Sequence, residues 1–192
     1  MNICLVSQNA SPGFTIFRKD LIIYLVSQGH QVHAFAIDYT EDSRSKVSKL
    51  GATPMDYSLD KSGLNIFKDL KDTWFLSVRL KKIQPDIVFS FFVKPSVYGT
   101  LAARIAKVPK RIAMLEGLGY IYTPSKNNFT FKKKILQYMH GLLASIGYAF
   151  ADKVLFLNQD DLIDLAKKSF INSKKFKIIG PIGLDLSDYP YS

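Results

Sequence analysis

The stretch Asp86 to Tyr122, DIVFSFFVKPSVYGTLAARIAKVPKRIAMLEGLGYIY, leaves few folds open to this chain. Its first run, Asp86 to Phe92, is apolar almost throughout, too short for a buried helix and rich in Val, Ile and Phe. That is the pattern of a strand covered on both faces. Lys94, Pro95 and Ser96 then supply turn and capping chemistry, and the Ala- and Leu-rich TLAARIAK supplies a helix. A second β-type run, Arg111 to Leu115, ends in Glu116, Gly117, Leu118 and Gly119. In open parallel sheets the ligand crevice lies at the carboxyl ends of the strands, so Lys94 and Glu116 are expected to project into one cleft.

The same rhythm runs through the rest of the chain. Asn2 to Ser7 reads as a buried strand, QNASPG as a turn, and Phe14 to Gln28 as a helix closed by Gly29. Strands follow at Gln31 to Ile37, Ala52 to Met55, Lys153 to Leu157 and Phe176 to Ile179, with helices at Glu41 to Leu50, Asn65 to Lys82 and Asp160 to Lys168. The helix from Asn65 is expected to turn Ile66, Leu70, Phe75 (or Trp74), Val78 and Ile83 inward. A helix after Lys134 is expected to bury Ile135, Met139, Leu142, Leu143, Ile146 and Phe150. This alternation predicts an α/β, Rossmann-like, mostly parallel sheet with helices on both faces. A domain over 1–182 is expected, with 183–192, rich in Gly and Pro, leaving it as a linker.

Composition narrows the function classes. The 192 residues are 47% hydrophobic, ample for a core. The longest uncharged stretch, Ile135 to Ala151, is interrupted by polar residues and falls short of the ~20 apolar residues of a membrane span. The start, MNICLVSQNA, has no basic leader, and the single cysteine, Cys4, sits in a strand where a small buried residue is expected; a reducing cytoplasm fits. Three scattered histidines and one cysteine offer no metal spacing, and no metal is expected. A formal charge of +10 implies an anionic partner: nucleic acid, acidic lipid or a phosphorylated small molecule.

Neither G-x-G-x-x-G nor a P-loop is present, which argues against an ordinary dehydrogenase or ATPase. Asn9, Ser11 and Gly13 offer backbone amides ahead of a helix, and Arg18 and Lys19 place cations near that helix start, where the macrodipole disfavours them unless an anion sits above the loop. Lys94, next to a helix amino terminus, suits a diphosphate. Glu116 can accept hydrogen bonds from sugar hydroxyls or act as a base, and Gly117 and Gly119 let the backbone approach a ligand. Lys132, Lys133 and Lys134, beside Phe129 and Phe131, form the start of a helix suited to rest on an anionic leaflet.

The series FRKDLIIYLVSQGHQVHAF, SGLNIFKDLK, QPDIVFSFFVKPSVYGTLAARIAKVPKRIAMLEGLGYIYT, FLNQDD and GPIGLDL resembles the amino-terminal half of family 4 retaining glycosyltransferases. The likeness is to bacterial enzymes that extend polyprenyl-diphosphate-linked sugars, and it rests most on KP-x-x-YG with GLGY. The resemblance implies one half of a GT-B architecture: two Rossmann-like domains across a cleft, acceptor held mainly by the first and nucleotide sugar mainly by the second, which is absent here. It places Ser11, Pro12, Gly13, Phe14 and Arg18 near the acceptor, Lys94 near a phosphate or sugar, and Glu116, Gly117, Leu118, Gly119 and Tyr120 along the cleft. It also implies no cofactor beyond a UDP-linked nucleotide sugar as co-substrate, and a lipid-linked saccharide acceptor. With the lysine cluster, an anionic membrane surface on the cytoplasmic side is expected, and no nucleic acid, because the basic residues are dispersed and no recognition module or stacking motif is present. The competing expectation is a free-standing nucleotide- or phosphosugar-binding domain without catalysis.

Overall fold

A computed structural model describes residues 1–60, 65–118, 131–167 and 173–183, with the backbone alone for 131–133 and 136. The elements run β1 (Asn2–Val6), α1 (Lys19–Ser27), β2 (Gln31–Ala36), α2 (Glu41–Lys49), β3 (Thr53–Asp56), α3 (Ile66–Ile83), β4 (Ile87–Phe91), α4 (Val93–Ile105), β5 (Lys110–Leu115), α5 (Phe131–Ala149), β6 (Lys153–Phe156), α6 (Gln159–Ala166) and β7 (Phe176–Ile178). They form one seven-stranded sheet in the order β3-β2-β1-β4-β5-β6-β7, and every pairing is parallel. The expected α/β, Rossmann-like architecture is therefore the one observed.

β1 is central and its register explains its apolar run: Cys4 lies between His33 of β2 and Val88 of β4, so neither edge nor face of β1 meets water. One face of the sheet, through Ile3, Leu5, Ala34 and Ala36, packs against Ile22 of α1 and Val47 of α2. The other, through Cys4, Val6, Phe35 and Val88, packs against Leu76 and Leu80 of α3 and Ala102 and Ala103 of α4, and continues through Ala113, Leu115 and Val154 to α5 and α6. Burial pushes the Cys4 thiol up to about 12, so it behaves as a small apolar residue.

Three expectations differ from the structure. The first helix begins at Lys19 rather than Phe14, because residues 10–18 wind in wide turns closed by Phe14 N–H to Ala10 O (2.9 Å) and Phe17 N–H to Pro12 O (3.1 Å). Glycine is needed in this coil: a Cβ on Gly13 would sit 2.2 Å from the Asn9 carbonyl oxygen. The inward stripe of α3 is not the aromatic one. Asp69, Asp72, Thr73, Leu76, Ser77 and Leu80 are buried, whereas Leu70, Trp74 and Phe75 are exposed.

The third difference has the same cause on α5, whose inner side is Gln137, Gly141, Ala144, Gly147 and Tyr148, while Ile135, Leu142, Ile146 and Phe150 face outward. Both helices pack against α4, which lies between them. Close approach selects small residues there, since a Cβ on Gly147 would come within 2.7 Å of a Val97 methyl. Small polar residues are tolerated on that side of α3 because its own carbonyls satisfy them: Thr73 Oγ1 donates to Asp69 O and Ser77 Oγ to Trp74 O, each at 2.7 Å.

Candidate active site

Strand order reverses between β1 and β4, since β1 leads to β2 on one side and β4 leads to β5 on the other. The crevice outside their carboxyl ends is where ligands bind in open parallel sheets. Three segments meet there: the coil after β1, the β4-to-α4 junction and the loop after β5. Arg18 at the end of the coil reaches across to Glu116 and forms an ion pair with Oε1, spanning 98 residues of sequence. The two side chains are only 5% and 7% exposed. The guanidinium also donates to the Phe17 carbonyl at 2.9 Å and lies with Cζ 4.3 Å from the centre of the Phe91 ring, beside the Met114 sulfur. Burial draws Arg18 down from 12.5 to about 10, so it stays charged at neutral pH and its charge is met by Glu116. Arg18 therefore does not lie on a solvated helix face.

This arrangement fixes the Glu116 carboxylate, because a planar guanidinium wedged between an aromatic face and a carboxylate has few alternative positions. Gly117 follows with φ 128 and open space where a Cβ would be, so the backbone there is both left-handed and approachable. On the other side of the crevice the backbone is strained: Phe92, the residue that starts α4, adopts φ 70 and ψ 166. A bulky residue at positive φ persists only where its surroundings over-determine it, and such positions gather at functional sites. Sequence reasoning did not point to Phe92; nothing in residue type alone marks a non-glycine positive φ.

The expected pairing of Lys94 and Glu116 in one cleft takes a different form, since each has another partner. Lys94 sits in the first turn of α4 with Nζ 2.7 Å from an Asp69 carboxylate oxygen and 2.9 Å from the Asp60 carbonyl oxygen. Asp69 is 2% exposed and Lys94 19%. Burial first, and then the Asp69 carboxylate, push the Tyr98 hydroxyl above its ordinary value, and Lys94 Nζ lies 5.8 Å from that ring. Asp69 was missed because the aromatic residues around it suggested the opposite helix face.

The remaining expected residues separate into open and packed positions. Ser11 is exposed and Pro12 half-buried, while Gly13 is packed under Asn9. Phe14 is fully buried among the core residues around Leu5 and Ile22, and Leu118 packs with Leu115 and Tyr148. Neither side chain is exposed in the structure: Phe14 is fully buried and Leu118 nearly so. Gly119 and Tyr120 lie outside the described residues, as do the side chains of Lys132 and Lys133; Lys134 is exposed. Asp38 was not anticipated, yet its carboxylate accepts the Ala10 N–H at 2.6 Å and holds the start of the coil.

Residues 2–158 match the family described as glycosyl transferase 4-like, which covers all the segments that meet at this crevice. The chain belongs to that family. Among curated proteins, this glycosyl transferase 4-like chain is 27% identical over 173 residues to a Campylobacter jejuni N,N'-diacetylbacillosaminyl-diphospho-undecaprenol alpha-1,3-N-acetylgalactosaminyltransferase, covering 90% of this chain and 44% of the relative. It is 25% identical over 126 residues to an Escherichia coli UDP-Gal:alpha-D-GlcNAc-diphosphoundecaprenol alpha-1,3-galactosyltransferase, covering 66% of this chain and 30% of that one. The chain spans less than half the length of these relatives. Among solved structures, Anabaena HepE in complex with UDP and glucose superposes over 100% of this chain and 47% of its own, with a TM-score of 0.64 at 14% identity. That likeness establishes the fold, one half of a GT-B architecture.

Proposed function

We propose that this chain is the acceptor-side domain of a retaining glycosyltransferase that moves a sugar from a UDP-linked donor to a lipid-linked saccharide acceptor. The observation that carries the reading is the buried Arg18–Glu116 pair at the mouth of the β1/β4 switch point, joining two loops of a family whose curated relatives act on undecaprenol-diphosphate sugars. Glu116 is the residue proposed to touch the acceptor: one oxygen is held by Arg18, and the other can accept a hydrogen bond from the attacking sugar hydroxyl, orienting it toward the donor carbon. Ser11, Pro12 and Gly117 are proposed to line the acceptor site, Gly119 and Tyr120 to extend it, and Lys94 to hold the start of α4 at the phosphate side of the cleft. The fold lends itself to a second α/β lobe beyond a linker at 183–192 that binds the nucleotide sugar and stabilises the departing diphosphate. Work on a lipid-linked acceptor places the domain at the cytoplasmic face of a membrane, with Lys132, Lys133 and Lys134 toward anionic headgroups.

The test is transfer by the full-length enzyme from UDP-sugars to a polyprenyl-diphosphate saccharide. Glu116→Gln keeps the hydrogen bond to Arg18 but weakens the acceptor for a hydroxyl proton, and lowers kcat at least tenfold with a smaller change in donor KM. A variant with unchanged kcat overturns the assignment of Glu116. The 192 residues alone transfer no sugar; turnover by them overturns the two-lobe reading.

A further inference from the structure

α3 is turned inside out. Its two carboxylates, Asp69 and Asp72, are buried, and its outer side carries Phe67, Leu70, Trp74 and Phe75, with Phe67 87% and Trp74 55% exposed. The exposed charges that share the helix with them are Lys68, Lys71, Arg79, Lys81 and Lys82, every one basic. The lysines attend the aromatic rings: Lys71 Nζ lies 5.9 Å from the centre of Phe75 and Lys81 Nζ 5.7 Å from that of Trp74. α2 and α6 are unlike this: α2 mixes Glu41 and Asp42 with Lys46 and Lys49, and α6 begins with Asp160 and Asp161.

An exposed row of aromatic rings ringed by cations of a single sign needs a partner that is at once apolar and anionic. A second copy of the chain fails this requirement, because self-association through α3 would bring lysines against lysines. A bilayer with acidic headgroups meets it: aromatic rings settle at the headgroup boundary, lysine stems reach outward, and a helix of 18 residues, about 27 Å long, can lie in the plane. α5, on the other flank of α4, turns Ile135, Leu142 and Ile146 outward as well. No helix among the described residues is long and apolar enough to cross a membrane, so the contact is one of resting on the surface.

We propose that the outer side of α3 is a docking surface for anionic lipid bilayers, anchored by Phe67, Trp74 and Phe75 and steered by Lys68 and Lys71. This rests on the membrane-surface reading above and moves the principal contact from the lysines that open α5 to α3.

Trp74 is the single tryptophan of the chain, so its fluorescence reports this surface directly. With vesicles of phosphatidylcholine containing about one-third phosphatidylglycerol, its emission moves to shorter wavelength and is quenched by brominated acyl chains. Pure phosphatidylcholine produces neither change. Lys68→Glu with Lys71→Glu lowers partitioning roughly thirtyfold, from roughly fivefold per lysine before the added repulsion, and Phe67→Ser with Phe75→Ser abolishes quenching. Sedimentation with anionic vesicles while Trp74 stays unquenched overturns the α3 surface and leaves a membrane contact elsewhere, as at Lys132 to Lys134. No sedimentation overturns both. An emission shift that follows protein concentration without lipid overturns the bilayer in favour of self-association.

Discussion

Two buried ion pairs flank the carboxyl end of the sheet, and they differ in what surrounds them. Lys94 and Asp69 are wrapped by secondary structure: the lysine lies in the first turn of α4, the aspartate on the inner side of α3, and the Asp60 carbonyl takes a further hydrogen bond. Arg18 and Glu116 join two loops, and their other neighbours are the face of Phe91, the Met114 sulfur and a backbone carbonyl. The first pair fixes how two helices pack. The second fixes a carboxylate at the rim of a crevice, next to a glycine with open space around it. Buried charge of the same kind thus serves packing in one place and, on the function proposed for Glu116, presentation of a carboxylate in the other.

The largest effect that separates them is on stability. Asp69→Ala strands the Lys94 ammonium among Tyr98 and the α3–α4 contacts, and loss of one partner of a buried pair costs about 3–5 kcal/mol. For a chain of this size that lowers Tm by about 10 °C. Removing both charges with Asp69→Leu and Lys94→Met recovers most of the loss, because the desolvation penalty disappears with the pair. If the double variant is as unstable as the single one, the pair does not act as a packing element. Glu116→Gln comes next and distinguishes the other pair: the amide oxygen still accepts from Arg18 although the guanidinium loses its countercharge, so the stability loss is about 1.5–3 kcal/mol, while transfer by the full-length enzyme falls at least tenfold. A thermal shift as large as that of Asp69→Ala would make Glu116 structural and not a presented carboxylate.

The sheet was legible because its signals are local. Each strand is a short apolar run closed by a polar or glycine-rich turn, and each crossover carries an amphipathic stretch, so order and type of elements follow from windows of a few residues. Arg18 and Glu116 could be singled out as cleft residues by their position at loop ends. Their pairing could not, since 98 residues separate them and nothing in either window names the other. The faces of α3 and α5 were misjudged for a related reason. Hydropathy assumes that rings seek the interior, but close approach to α4 requires a glycine at 147, and Ser77 is buried on α3 while Trp74 and Ile146 are exposed. Packing geometry between non-neighbouring helices decided what residue type had suggested otherwise.

The smallest effect sharpens the comparison by supplying its surface counterpart. Arg44 donates from Nη2 alone to both Asp56 carboxylate oxygens, at 2.7 and 2.8 Å, with Cζ 4.8 Å from the Tyr39 ring centre, yet its side chain is 40% exposed and that of Asp56 60%. Exposed pairs contribute about 0.2–1 kcal/mol, because water already solvates both charges and ordering them costs entropy. Asp56→Asn therefore shifts a denaturant midpoint slightly at low salt, and the shift shrinks toward zero in about 1 M NaCl, where the screening length is near 3 Å. The penalty of Asp69→Ala is expected to persist in the same buffer, since mobile ions do not reach a carboxylate that is 2% exposed. A salt series on the two variants thus separates ion pairs that hold the fold from those that merely decorate it. Equal salt sensitivity in both would mean that water reaches the α3–α4 seam and that Lys94 is not sealed there.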